Sequence, residues 1–280
     1  VLPSVDPAAV LDARRPALDL RTVDLVWAPA TLMVDQPGKI VPGDDEVDAG
    51  ETVIDGLLTL MQNAQRDVLI ISPYFVPGPR MMAVYEQLRK RGVRLRVLTN
   101  SLASNDAPAA HAGYARYREA MLAMGAELYE MQSDPEISDL FGSGSGGGSR
   151  RSVGSGLGLG SGPGGSKSGT KSRASLHSKA VIIDARLSII GSMNLDLRSQ
   201  LQNSEVALVI RSTNLAQKSI AQIEHTFDTG AYKVEQRDGA LYWRAPKNGL
   251  FPDSTTEPGA STKLKVLVKI IGPLAPDEML

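Results

Sequence analysis

Residues 175–205 read SLHSKAVIIDARLSIIGSMNLDLRSQLQNSE, and where their polar side chains fall decides how the rest of the chain is understood. Residues 176–183 are rich in Val and Ile, Asp184-Ala185-Arg186 supplies a turn, and residues 187–190 are again apolar and β-branched. The pattern predicts a strand, a tight turn, a second strand and a helix start. Alternate side chains on a strand share a face, so His177 and Lys179 are expected to point the same way. Asp184, seven residues from His177, has the wrong parity to join them and reads as turn chemistry. Past Gly191, which permits close approach of backbone or ligand, Ser192 and Asn194 fall on one side.

These residue types suit an anionic phosphodiester. Lys179 supplies fixed positive charge, and Ser192 and Asn194 supply neutral donors for the oxygens. Histidine suits the task of a nitrogen nucleophile or proton carrier near neutral pH, and the carboxylate of Glu205 is a candidate to orient its ring and stabilise its cation. A lone histidine on an apolar strand is ordinarily a satisfied core residue; here the surrounding set argues for chemistry. The spacing H-x-K-x4-D-x6-G-S-x-N, with Glu205 eleven residues after Asn194, resembles the signature of the phospholipase D superfamily.

With 280 residues and 42% hydrophobic content, the chain can bury a substantial core in one large or two small domains. A net charge of -1 exerts no whole-chain pull toward nucleic acid or anionic lipid. The sequence has no cysteine, which excludes disulfides and thiolate catalysis. No apolar run reaches the roughly 18–20 residues needed to span a bilayer. Residues 1–20 show no clear period, a strand or two is expected within 23–34, and Asp44, Asp45, Glu46 and Asp48 read as a solvated loop.

Helical spacing marks residues 51–65 through Val53, Ile54, Leu57, Leu58 and Met61. DVLIISPYFVPG, from Asp67, then reads as a strand buried on both faces. A helix over 81–91, a strand over 93–98, the polar loop TNSLASND, a helix over 111–124 and a strand over 127–131 follow. This alternation predicts an α/β sandwich with a mixed, mostly parallel sheet.

Residues 142–173 break the pattern. Twelve of the twenty-four residues in 142–165 are Gly, which predicts a flexible loop. Arg150, Arg151, Lys167, Lys171 and Arg173 make it basic, either simply solvated or brushing anionic phosphate near the site. Its G-x-G-x-x-G matches arise trivially in such a tract and sit between no strand and helix. A strand over 205–210, a helix over 215–227 and a hairpin around Asp238-Gly239 come next. In the tail, Lys263, Lys265 and Lys269 are interspersed with Leu264, Val266, Leu267, Val268, Ile270 and Ile271, which suits a membrane-interface segment or a helix docked on the domain.

SPYFVPG from Ser72, residues 99–106, HAGY from His111 with Tyr117 and Arg118, and GSMNLD from Gly191 are similar to the C-terminal half of bacterial cardiolipin synthases, over about residues 23–244. The resemblance implies a phospholipase D-like α-β-α sandwich lobe and a transphosphatidylation that uses neither metal nor cofactor. One histidine attacks the lipid phosphorus and forms a phosphohistidine. A second protonates the departing alcohol, then activates the hydroxyl of phosphatidylglycerol; phosphatidylethanolamine is a further candidate substrate, and nucleic acid is not part of this reading. The implied catalytic set is His177, Lys179, Asp184 and Glu205, with Lys179, Ser192 and Asn194 on the phosphate. Asp184 enters only as a member of the motif. Tyr74, Phe75 and His111 are candidate pocket residues, with structural alternatives: core packing at a strand end for Tyr74 and Phe75, and a helix-terminal hydrogen bond for His111. The family also implies peripheral residence on a bacterial inner membrane, on its cytoplasmic side.

Such enzymes carry two copies of the signature, facing each other across a pseudo-two-fold axis. The other histidines here, His111 and His225, lack a lysine two residues on. The expected organisation is therefore a connection from a first lobe in residues 1–45, a catalytic lobe in 46–245 and a tail in 246–280. A missing N-terminal lobe or a second copy of the chain would complete the site, and the chain alone is expected to show little or no transferase activity. The N-terminal histidine of two-lobe members is usually the nucleophile, which makes His177 the general acid and base; a homodimer leaves both roles open. The alternatives are a homodimeric phosphodiesterase or nuclease, and a lipid-binding half-domain without catalysis.

Overall fold

The structure is a computed structural model that describes residues 25–39, 51–133, 175–249 and 251–272. The Gly-rich tract and the acidic patch lie outside the described residues. In chain order the elements are β1 (Ala30–Val34), α1 (Val53–Gln62), β2 (Asp67–Ile71), α2 (Gly78–Lys90), β3 (Arg94–Asn100), α3 (Pro108–Ala123), β4 (Glu127–Met131) and β5 (Ala180–Ile183). β6 (Leu187–Gly191), the short α4 (Leu197–Leu201), β7 (Val206–Arg211), α5 (Thr213–Thr229), β8 (Ala231–Arg237), β9 (Ala240–Arg244) and α6 (Thr262–Ile271) complete the order.

The apolar run of β2 is buried on both faces, as its lack of polar alternation predicts. Val68 and Ile70 meet Leu57 of α1, Tyr85 of α2 and Tyr114 of α3 in one core. Leu69 and Ile71 point the other way, against Ala216 and Ile223 of α5. Helices on both faces of one sheet give the expected α-β-α sandwich. The sheet has nine strands in the order β1-β7-β6-β5-β2-β3-β4-β8-β9.

The expectation of a mostly parallel sheet is corrected. Only β2–β3 and β3–β4 are parallel, and the six remaining pairings are antiparallel. Parallel neighbours need a long crossover, which α2 and α3 provide. β5 and β6 are joined instead by a tight turn, where Asp184 and Ala185 adopt positive φ of 53° and 54°. The β8–β9 hairpin turns at Asp238 and Gly239, with φ of 50° and 79°, in line with its Asp-Gly signal.

The segments on either side of residues 46–245 pack on the same domain. β1 pairs antiparallel with β7 and forms an edge of the same sheet. Trp243 and Ser254 exchange backbone hydrogen bonds, and α6 packs on α3, so the segment after β9 closes on the domain. α5 covers only part of its face. Leu32 and Val34 of β1, Val206 and Leu208 of β7, and Ile190 of β6 stand exposed beside it. The pairings Leu32↔Leu208, Val34↔Val206 and Ile190↔Leu208 place them on one continuous apolar surface.

Candidate functional site

The site is assembled where β5 begins and β6 ends. Asn100, at the end of β3, fixes the approach to β5: its side-chain oxygen accepts from Leu176 N at 2.8 Å, and its Nδ2 donates to Leu176 O at 3.1 Å and Pro73 O at 3.3 Å. A buried amide thus holds the backbone directly before His177. His177 itself is exposed, in irregular backbone ahead of β5. Strand parity therefore does not govern it, since β5 starts only at Ala180. His177 and Lys179 nevertheless line one open cavity of about 590 Å³, with Ser188, Ile190 and Gly191 of β6 and Lys218 of α5.

Lys179 Nζ donates to the His177 carbonyl at 3.2 Å. Partial burial lowers the Lys179 pKa, and the carboxylates of Glu205, Asp196 and Asp106 act against that shift. Lys218 was not anticipated. It lies on a helix forty-one residues beyond His177, and only the packing of α5 on the sheet brings a second cation to the cavity.

Across β6 and β7, Ser192 donates its hydroxyl hydrogen bond to Glu205 Oε2 and accepts from Val206 N at 3.0 Å. Glu205 is buried and meets Ser192, with no hydrogen bond to His177 among the described residues. The register explains this: Gly191 pairs with Ala207, which brings Ser192 opposite Val206 and within reach of its neighbour Glu205, whereas the His177 segment lies on the other side of β6. Gly191 allows a close approach of backbone. A Cβ there would stand 2.3 Å from Val206 O and 2.9 Å from Ala207 Cα.

Asp35 holds Glu205 from behind. Its carboxylate accepts from Glu205 N at 2.9 Å, from Val53 N at 2.6 Å and from Lys39 Nζ at 2.5 Å, while Asp35 N donates to Glu205 O at 3.0 Å. Lys39 also reaches Ser199 O at 2.8 Å. One carboxylate therefore joins β1, α1 and the start of β7.

Asn194 lines a second, smaller cavity of about 300 Å³ with Tyr74, Asp196, Arg198 and Asn203. Its backbone N donates to Ser199 Oγ at 3.1 Å, and Asp196 caps α4 by accepting from Ser199 N at 2.7 Å. Burial pushes the Asp196 carboxyl up. Tyr74 donates to Asp106 Oδ1 at 2.6 Å, and its burial together with that carboxylate keeps the phenol protonated. Asp106 and Asp196 stand inside the segments that carry the family resemblance, yet nothing in their spacing marked them for the site.

Three candidates lie elsewhere. Asp184 sits in the β5–β6 turn at the far end of those strands, with its carboxylate taken up by the backbone N–H groups of Gln65, Arg66 and Asp67 at 2.8–3.1 Å. Those hydrogen bonds outweigh burial and lower its pKa. Phe75 is a core residue between Tyr85 and Tyr114. His111 is buried on α3, its Nε2 3.0 Å from Arg118 Nη2 and 3.3 Å from Glu257 Oε1. Among the described residues, no group of three or more His, Asp or Glu is arranged to hold a metal ion.

The arrangement offers an exposed imidazole, two nearby cations and a serine–carboxylate pair. It can grip an anionic ester and move a proton. A family model described as "Cardiolipin synthase, PLD-like domain" matches residues 57–141 and 164–227. Cardiolipin synthase C of Escherichia coli (strain K12) is 33% identical over 253 residues, covering 89% of this chain and 48% of that relative. Cardiolipin synthase A of Edwardsiella ictaluri (strain 93-146) is 25% identical over 160 residues, covering 57% of this chain and 24% of that protein. Among solved structures, the phospholipase D family member Nuc from Salmonella typhimurium aligns with a TM-score of 0.47 and 16% identity, over 74% of this chain and 100% of that one. The chain spans less than half the length of these two curated relatives. With more than half of its residues inside the matched segments, the chain belongs to the cardiolipin synthase family of phospholipase D-like domains.

Proposed function

We propose that this lobe carries one half of a phosphatidyl-transfer site of cardiolipin synthase type. The carrying observation is His177, exposed beside Lys179 and Lys218 in a single cavity. The two lysines offset charge on the phosphodiester oxygens, which grows as phosphorus is attacked. A histidine nitrogen attacks phosphorus, the bond to the leaving alcohol oxygen breaks, and that oxygen takes a proton from a second acid. The hydroxyl of an acceptor such as phosphatidylglycerol then gives its proton to that same group, now a base, and its oxygen displaces the histidine from phosphorus. One imidazole cannot serve as nucleophile and as proton carrier in the same step, so a second set is required. It comes from another lobe or a second copy, and the exposed apolar face of β6, β7 and β1 beside the cavity is the surface for it. His177 then acts as general acid and base opposite a nucleophile from that lobe, or takes either role in a homodimer. Ser192 and Glu205 hold the end of β6 at the cavity wall.

The single copy of the motif favours, as a second reading, a homodimeric phosphodiesterase. The test is incubation with phosphatidylglycerol vesicles, scoring cardiolipin and phosphatidic acid separately. The chain alone is expected to give little of either. Adding a lobe with its own H-x-K-x4-D should give cardiolipin, lost in His177→Ala. Robust cardiolipin from the chain alone, abolished by His177→Ala, would replace the two-lobe arrangement with a homodimer. Hydrolysis without transfer would replace the transferase reading.

A further inference from the structure

Helix α6 packs on the domain with only one of its faces. Ser261 caps it by accepting from Leu264 N at 3.3 Å, and Leu264, Val268 and Ile271 pack with Leu102 and Ala112 of the domain. Spacings of three and four residues place these on one stripe. An outer face exposed only to water would be polar, as in α2, whose exposed residues include Arg80, Glu86 and Lys90. α6 instead exposes Val266 at 51%, Leu267 at 43% and Ile270 at 58%. Lys263 and Lys269 stand among them, Lys265 is half-buried and donates to Thr256 Oγ1 at 2.9 Å, and the helix contains no acidic residue. The flank bearing Lys265 and Lys269 also walls an open cavity of about 740 Å³, so it faces space.

We infer that α6 is the surface through which this lobe rests on an anionic phospholipid bilayer. Val266, Leu267 and Ile270 enter the boundary between headgroups and acyl chains, while Lys263 and Lys269 meet lipid phosphates. Charge decides for lipid over a protein partner: the outer face combines apolar side chains with cations of one sign, the complement of an anionic interface. Length decides for lying on the bilayer, because ten residues extend about 15 Å, half the hydrocarbon thickness of roughly 30 Å. Among the described residues no helix is long and apolar enough to cross a membrane. The inference deepens the phosphatidyl-transfer reading by naming the surface that meets the substrate's bilayer.

The experiment is vesicle flotation of the 280-residue chain, with vesicles of phosphatidylcholine alone or mixed with phosphatidylglycerol. The wild type is expected to float with the mixed vesicles and to be released by salt. Leu267→Asp with Ile270→Asp should weaken that binding at least about tenfold, and Lys263→Glu with Lys269→Glu should abolish the preference for phosphatidylglycerol, at roughly fivefold for each lysine lost. All four positions are exposed, and circular dichroism checks that each variant is folded. Unchanged flotation of both variants overturns the inference. So does a shift of oligomeric state in the Leu267→Asp/Ile270→Asp variant with vesicle binding retained, which would make the stripe a protein interface. His177→Ala should float like the wild type, so docking and chemistry fail separately.

Discussion

The surroundings of His111 and His177 differ in almost every physical respect. His111 is sealed. Arg118 beside it meets Glu130 at 3.2 Å and Glu257 at 2.8 Å and lies over the rings of Tyr114 and Trp243, and Trp243 Nε1 donates to Glu130 at 2.8 Å. Burial pushes the Glu130 carboxyl up, while Arg118 and His111 outweigh burial at Glu257 and hold that carboxyl low. This cluster ties α3, β4 and β9 to the segment that leads into α6. Around His177 the cations face an open cavity, and the hydrogen bonds serve mainly to hold backbone in place. The same residue types build a sealed structural cluster where they are paired and buried, and stand open to a ligand where the fold leaves them facing solvent.

The contrast breaks most visibly at Arg118. Arg118→Met leaves the buried Glu130 and the half-buried Glu257 without their cation, and denaturant titration should show a loss of about 3–5 kcal/mol. A loss under 1 kcal/mol would mean that the cluster is not structural. On the other side, Gly191→Ala drives a methyl against Val206 O. About 1–3 kcal/mol should be lost, together with the Ser192–Glu205 geometry and hence turnover in the completed enzyme.

A smaller effect is expected from acid. Burial alone would raise the Glu127 pKa, but Arg94 at 2.5 Å and Lys233 outweigh it and lower it to about 2 from an ordinary 4.5. A depressed folded pKa adds stability that is complete above about 4.5 and is lost as pH falls toward about 2. Glu127→Gln should flatten the pH dependence of unfolding in that window and leave the slope near pH 7 unchanged. His177→Ala closes the series: transfer in the completed enzyme is abolished while stability moves by no more than about 0.5 kcal/mol. A large destabilisation would return His177 to the class of His111.

What the chain announces in sequence follows the range of its interactions. β2, β4 and the Asp238-Gly239 hairpin are set by local apolar runs and turn residues, and all were anticipated. The direction of strand pairing depends on which connection carries a helix, and the Gly-rich tract between β4 and β5 hid the switch to antiparallel order. At the site, His177, Lys179 and Ser192 stand in one short motif. Asn100 and Asp35 could not be read there: they act on backbone groups 76 and 170 residues away, and neither has a local pattern. Asp184 shows the converse, a residue of the motif whose partners are three backbone N–H groups far from the cavity.

Among the described residues, β1 ends the sheet with one side of its backbone unpaired, and Leu32 and Val34 project from it into solvent. A strand edge of this kind is a template for further strands. The sequence ATLMV carries neither proline nor charge to discourage such growth. In concentrated solutions of the isolated lobe, aggregation should start at this edge. Replacing Leu32 with lysine would be the first remedy to try when handling the protein.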